Sequence, residues 1–165
     1  MTSSPSMALL IDCEFKYHHT VFDQFYACIV SNLQTTFANR TISGVNGKHL
    51  IGKTNEDVQM FFAKKENSPY MPLNLQSFFP NLEVLYMMNS NVQHLLTGDL
   101  DGLKNLKIFD VSHNPIDQIG QDFFRGHEKL EKISFYDSHL KKVNRGALDN
   151  FTNLKGLYFD INACI

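Results

Sequence analysis

Apolar residues return at a fixed interval of 24 through the C-terminal half of the chain. Leu82, Leu85, Met87, Val92, Leu95, Leu100 and Leu103 open the series, and Leu106, Phe109, Val111, Ile116, Ile119 and Phe124 follow. Leu130, Ile133, Phe135, Leu140, Val143, Leu148 and Phe151 form a third set, and Leu154, Leu157 and Phe159 begin a fourth. Of the 21 template positions in the three complete blocks only His127 is not apolar, so the period is no accident. Within a block the alternation at the start predicts a short strand with one face inward. Strands repeated at a constant offset must stack in parallel, one per coil. Ser90, Asn114, Ser138 and Asn162 come just after the strand, where the chain turns away. Their side chains are placed to bond backbone groups that the turn leaves unpaired. Leu100, Phe124 and Leu148 then plug the convex side. A single coil cannot bury its own apolar face, so the coils depend on one another and on caps.

The block reads L-x-x-L-x-L-x-x-N-x-L, which resembles the leucine-rich repeat in period and signature. The resemblance implies an α/β-type repeat solenoid with a parallel concave β-sheet and an irregular convex side. The repeats are expected over 82–105, 106–129 and 130–153, with a partial one over 154–165. Residues 9–81 are expected to hold an N-terminal cap and a divergent first coil, after a loose polar stretch over 1–8.

The cap carries its own pattern. Ile11 to Tyr17 and Tyr26 to Val30 alternate, so that Cys13, Phe15 and Tyr17 share one face, as do Tyr26, Cys28 and Val30. Two antiparallel strands, a β-hairpin-like cap, would bring Cys13 close enough to Cys28 to pair. A disulfide closing a loop of about 15 residues contributes roughly 3 kcal/mol in the chain-entropy model. Two buried free thiols are the alternative. Cys164 falls on an inward position of the fourth repeat, either as core or as partner to a cysteine in a C-terminal cap beyond this chain. Thr41 to Val45 suits a short strand. Val58 to Lys65 stays open, because Val58, Phe61 and Phe62 fit a helix while Phe61 and Ala63 fit an irregular first coil. Leu75, Phe78 and Phe79 resemble the plugging half of a coil.

Composition removes several function classes. With 15 basic and 17 acidic residues the chain offers no electrostatic argument for nucleic acid or an anionic membrane. No apolar run is long enough to cross a bilayer, and Met7 to Ile11 is too short and lacks the basic flank of a secretory signal. Gly47 to Thr54 matches G-x-x-x-x-G-K-[ST], the phosphate-cradling loop, whose mechanism requires a buried strand before it and a helix after it. Thr54 to Asp57 suits a capping box, but Thr41 to Val45 is too short and polar for the strand. The apolar run that would end in a magnesium-binding aspartate, Lys107 to Asp110, is already taken by the second repeat. Nucleotide binding through 47–54 is therefore the weakest alternative. The seven histidines show no ligand spacing, and no Ser/His/Asp or Cys/His order stands out. A non-enzyme without metal or cofactor is expected. Two sequons, at Asn39 and Asn150, are candidate glycosylation sites.

The chain also resembles a group of small secreted leucine-rich repeat proteins of insects. The resemblance rests on Cys13, Cys28, Val45, Gly47, His49, Phe79-Pro80-Asn81-Leu82 and Asn162-Ala163-Cys164-Ile165. It implies export and binding of a protein partner. Solenoids dock partners on the concave sheet, and the repeat register assigns that face. Its binding residues are expected to be Tyr86, Met88 and Asn89, then Asp110, Ser112 and His113, then Ser134, Tyr136 and Asp137, and finally Tyr158 and Asp160. Val84, Ile108, Lys132, Gly156 and Ile161 point the same way. The face is amphipathic and mildly acidic, with tyrosines of the kind that dominate binding hot spots. The expected function is a non-catalytic, extracellular protein-binding module. An intracellular adaptor or scaffold is the alternative.

Overall fold

The computed structural model describes residues 8–21 and 23–163. Cys164, and the loose N-terminal stretch apart from Ala8, lie outside these residues. Ten strands and one short helix follow one another: β1 Leu9–His19, β2 Gln24–Ser31, β3 Ile42–Asn46, β4 Met60–Lys64, α1 Leu75–Phe78, β5 Val84–Met88, β6 Ile108–Asp110, β7 Gln118–Ile119, β8 Lys132–Ser134, β9 Lys142–Val143 and β10 Gly156–Tyr158. Eight strands form one sheet in the order β10-β8-β6-β5-β4-β2-β1-β3, and β7 and β9 pair separately. From β2 through β4, β5, β6, β8 and β10 every pairing is parallel, as one strand per coil requires.

The register is the one the repeat predicts. Leu85 lies opposite Phe109, Phe109 opposite Ile133, and Ile133 opposite Leu157. The first three are fully buried and Leu157, in the last coil, is 44% exposed. The open question over Val58 to Lys65 is resolved as strand. Phe61 and Ala63 face the core opposite Leu85 and Met87, while Met60 and Phe62 face the other way. The helix reading fails because a helix cannot supply the backbone groups that β2 and β5 present on either side.

Two devices hold each turn in place. Asn114 Oδ1 accepts the N–H groups of Ser90 (2.8 Å) and Val92 (3.0 Å). Its Nδ2 donates to the carbonyls of Met87 (2.6 Å), Val111 (2.7 Å) and Ser112 (3.2 Å). Asn162 repeats this on Ser138, Leu140, Phe135 and Phe159. Serines alternate with the asparagines, so each asparagine braces the serine coil before it. The second device is a column of left-handed residues just past the strands: Lys65, Asn89, His113, Asp137 and Ile161, with φ between 49° and 63°. There His113 N–H reaches the carbonyl of Tyr136 (2.9 Å) and Asp137 N–H that of Asp160 (2.9 Å). Ile161 is the misfit, since a β-branched side chain in this region is strained. It is 64% exposed, so little packing would be lost on replacement. Ile161→Asn is expected to raise stability by about 1 kcal/mol, read from the denaturant midpoint at unchanged slope.

The cap is the expected antiparallel pair. Cys13 lies beside Val30 and Phe15 beside Cys28 across β1 and β2. Cys13 and Cys28 are disulfide-bonded, with Cα atoms 5.0 Å apart, so the free-thiol alternative falls. The short strand expected over Thr41 to Val45 is β3, which runs parallel to β1. Gly47, at φ 130°, is required by closeness: a Cβ there would stand 2.2 Å from the Cys13 carbonyl oxygen. His49 stacks on Phe15 with ring centres 3.7 Å apart, and bonds the Tyr26 hydroxyl (3.0 Å) and Asn55 (2.9 Å). The segment that imitates a phosphate loop therefore packs the hairpin. A three-residue 3-10 turn, Asn55–Asp57, follows it instead of a helix. The Thr54–Asp57 capping box is formed, but β3 lies at the sheet edge and Lys53 is held by Asp57 at 3.1 Å. This geometry cannot converge backbone N–H groups on a phosphate.

Candidate functional site

The concave face is set by strand alternation. In β5, Leu85 and Met87 point into the core, which leaves Tyr86 and Met88 on the open side. Pairing then lines up one row across four coils: Tyr86 beside Asp110, Asp110 beside Ser134, and Ser134 beside Tyr158. A second row runs beside it through Met88, Ser112 and Tyr136. The two serines in the middle are short and the side chains at the ends are large, so the face sinks at its centre. The resulting depression has a volume of about 290 Å³. Of the predicted binding residues, Tyr86, Met88, Asp110, Ser112, His113, Ser134, Tyr136 and Tyr158 line it. Asn89, Asp137 and Asp160 do not. Asn89 and Asp137 sit in the left-handed column, and Asp137 holds the His113 ring at 3.0 Å on the rim. Gly156 lets the Tyr158 ring lie down along its own strand, since a Cβ there would meet the ring at 2.8 Å.

Asp110 is the acidic residue of the lining, which also holds His113 and Lys132. Its Oδ1 accepts the Ser112 N–H (2.9 Å) and the Ser112 hydroxyl, whose oxygen is 2.8 Å from Ser134 Oγ. Burial pushes the Asp110 carboxyl up from the usual carboxylate range, against the opposing pull of the Ser112 bonds and of His113. Burial, and then Asp110, push the Tyr86 hydroxyl up to about 12. Burial is the first cause of both shifts, and for Tyr86 the Asp110 charge adds to it.

The sequence reading stopped this face at Val84, and the structure carries it further. Phe25, Ala27, Met60 and Val84 form a second buried apolar cluster, with Ile29, Phe62, Tyr86 and Ile108 packed against it. The concave sheet thus runs from an apolar half in the cap to a tyrosine-and-carboxylate half in the repeats. His18 lies over Phe62 with ring centres 5.0 Å apart, and burial, then Lys16 and His19, push its pKa down. The signal was present, because β2 and β4 are apolar on both faces, as strands covered on both sides are.

The remaining candidates are dispersed. The adjacent His18 and His19 point to opposite faces of β1, and no three His, Cys, Asp or Glu residues gather for a metal among those described. The buried His127 sits between two carbonyls, with Nε2 2.9 Å from that of Leu100 and Nδ1 3.0 Å from that of Arg125. That is how a polar side chain fills an apolar position of the template. Asn150 is exposed on the side away from the concave sheet, beside Phe124 and Phe151, and Asn39 is half-buried.

Comparison with known proteins agrees with this geometry. Residues 104–163 match the family model described as leucine rich repeat. A structure of the Toll–Spatzle complex of Drosophila superposes with a TM-score of 0.59 at 16% identity, over 72% of this chain and 17% of that one. This chain therefore spans about a sixth of that neighbour's length. The leucine-rich repeat ectodomain of the receptor kinase SOBIR1 from Arabidopsis thaliana superposes with a TM-score of 0.50 at 17% identity, over 98% of this chain and 84% of that one. The chain has the leucine-rich repeat fold, and residues 104–163 carry that family's sequence signature. No helix among the described residues is long and apolar enough to cross a membrane.

Proposed function

We propose that the chain is a non-catalytic protein-binding module that works outside the cell through its concave sheet. The observation that carries this reading is the tyrosine-lined depression, a partly apolar surface on the open side of the sheet. Tyrosines supply large, rigid contact area at low entropic cost, which is what a binding hot spot needs. The Cys13–Cys28 bridge favours an oxidising compartment over an intracellular adaptor. Of the two structural neighbours, one is described as a complex of Toll with Spatzle and the other as an ectodomain. Asn39 and Asn150 are the glycosylation sites that go with export, and a glycan on Asn150 would leave the concave face open.

The test is capture of extracellular proteins on the immobilised chain, compared with the double variant Tyr86→Ala and Tyr136→Ala. Both side chains lie on the open face, so the variant should fold. Bound partner should fall by about tenfold or more. Capture unchanged by the double substitution would remove the concave face from consideration.

A further inference from the structure

We propose that the depression is an anchor pocket for a single arginine side chain of the protein partner, received by Asp110. The inference rests on the concave-face reading and adds the chemistry of what enters. A volume of about 290 Å³ admits one large side chain but not a helix. Both hydrogen bonds that Asp110 receives go to Oδ1, from Ser112. Among the described residues Oδ2 has no hydrogen bond of its own, and Asp110 lines the cavity together with Tyr86, Tyr136 and Tyr158. Two basic side chains also line the cavity: His113, whose Nδ1 is held by Asp137 at 3.0 Å, and Lys132.

A carboxylate with one oxygen uncommitted in a partly buried cavity favours an incoming cation more strongly than the same group in water. Aromatic walls favour a cation too, through the ring quadrupole. Arginine suits the site better than lysine. Its guanidinium is flat, stacks on tyrosine, sheds water more readily and can donate to Oδ2 while lying against a ring.

The probes are acetyl-Gly-Arg-Gly-amide and its uncharged citrulline counterpart, titrated against the full chain by amide NMR. The arginine peptide is expected to shift the signals of Tyr86, Asp110 and Ser134 saturably, and the citrulline peptide to bind about tenfold more weakly or worse. Asp110→Asn keeps the oxygen that Ser112 bonds and removes the charge. It should lose the arginine preference while its melting temperature stays level or rises, because a carboxylate whose charged form burial disfavours has been made neutral. A merely structural Asp110 would show the reverse. Equal binding of the two peptides, no saturable shift, or an Asp110→Asn variant that keeps the preference overturns the proposal. If the captured partner is lost with Tyr86→Ala and Tyr136→Ala but kept with Asp110→Asn, the arginine pocket fails and the concave face stands. If neither variant changes capture, both readings fail.

Discussion

Asn114→Ala is expected to cost about 4 kcal/mol or more, a large part of the stability of a domain this size. The side chain takes two N–H groups and gives to three carbonyls, spanning two coils. Ser90 N–H and Val92 N–H come from buried residues and lose their partner together. Each orphaned buried group costs about 1–3 kcal/mol. Asn114→Ser should cost less. Ser138 shows why: its hydroxyl donates to the carbonyl of Val111 (3.1 Å), the counterpart, one coil on, of the bond from Asn114 to Met87. Equilibrium denaturation decides the matter, and a loss below about 1 kcal/mol for the alanine variant would mean that the turn carries its own hydrogen bonds.

How much of this was legible in the chain follows from where the interactions lie in sequence. Within the repeats what recurs at 24 could be read, because a fixed offset fixes the pairing: the interior row from Leu85 to Leu157 and the polar column from Ser90 to Asn162. The coil before them, Met60 to Lys64, pairs at the same offset but stayed open because its apolar residues also suit a helix. The open face followed from the same register, since alternation fixes which side chains point away from the core. The concave apolar half was missed because β2 joins the sheet out of period. Ala27 pairs with Met60, an offset of 33, so no template carried over to Phe25, Ala27 and Ile29. The false phosphate loop shows the opposite failure. Gly47 and His49 are needed for backbone approach to Cys13 and for packing on Phe15, and a motif cannot tell that need from the needs of a nucleotide. The depression itself was beyond reach, because it depends on two short serines lying between tyrosines contributed by different coils.

Least legible of all was the pair that fastens the cap side to the repeats, and its rupture is expected to be the other large effect. Arg40 and Asp99 are 59 residues apart in sequence, and their side chains are 14% and 0% exposed. Arg40 Nη1 donates to Asp99 Oδ1, while Asp99 Oδ2 accepts the Leu96 N–H at 2.7 Å. The guanidinium also stands 5.9 Å from the centre of the Tyr70 ring. Arg40→Ala leaves a fully covered carboxylate without its counter-charge, at a cost of about 3–5 kcal/mol. Asp99→Asn should cost less, since the Leu96 bond can persist and Arg40 retains a path to water. Adding Asp99→Asn to Arg40→Ala should recover most of the loss, a coupling that a double-mutant cycle measures directly.

The pH dependence has a definite sign. Burial, against the opposing pulls of the Leu96 N–H and Arg40, already holds the Asp99 carboxyl above its ordinary value of 3.8. Removing Arg40 must raise it further. A carboxyl whose pKa is raised on folding binds protons more tightly in the folded state, so stability is gained as pH falls and lost as pH rises through the folded value. The deficit of Arg40→Ala should therefore be largest at neutral pH and shrink towards pH 4. A deficit constant across that range would assign the loss to missing packing on Tyr70 instead of to the stranded charge.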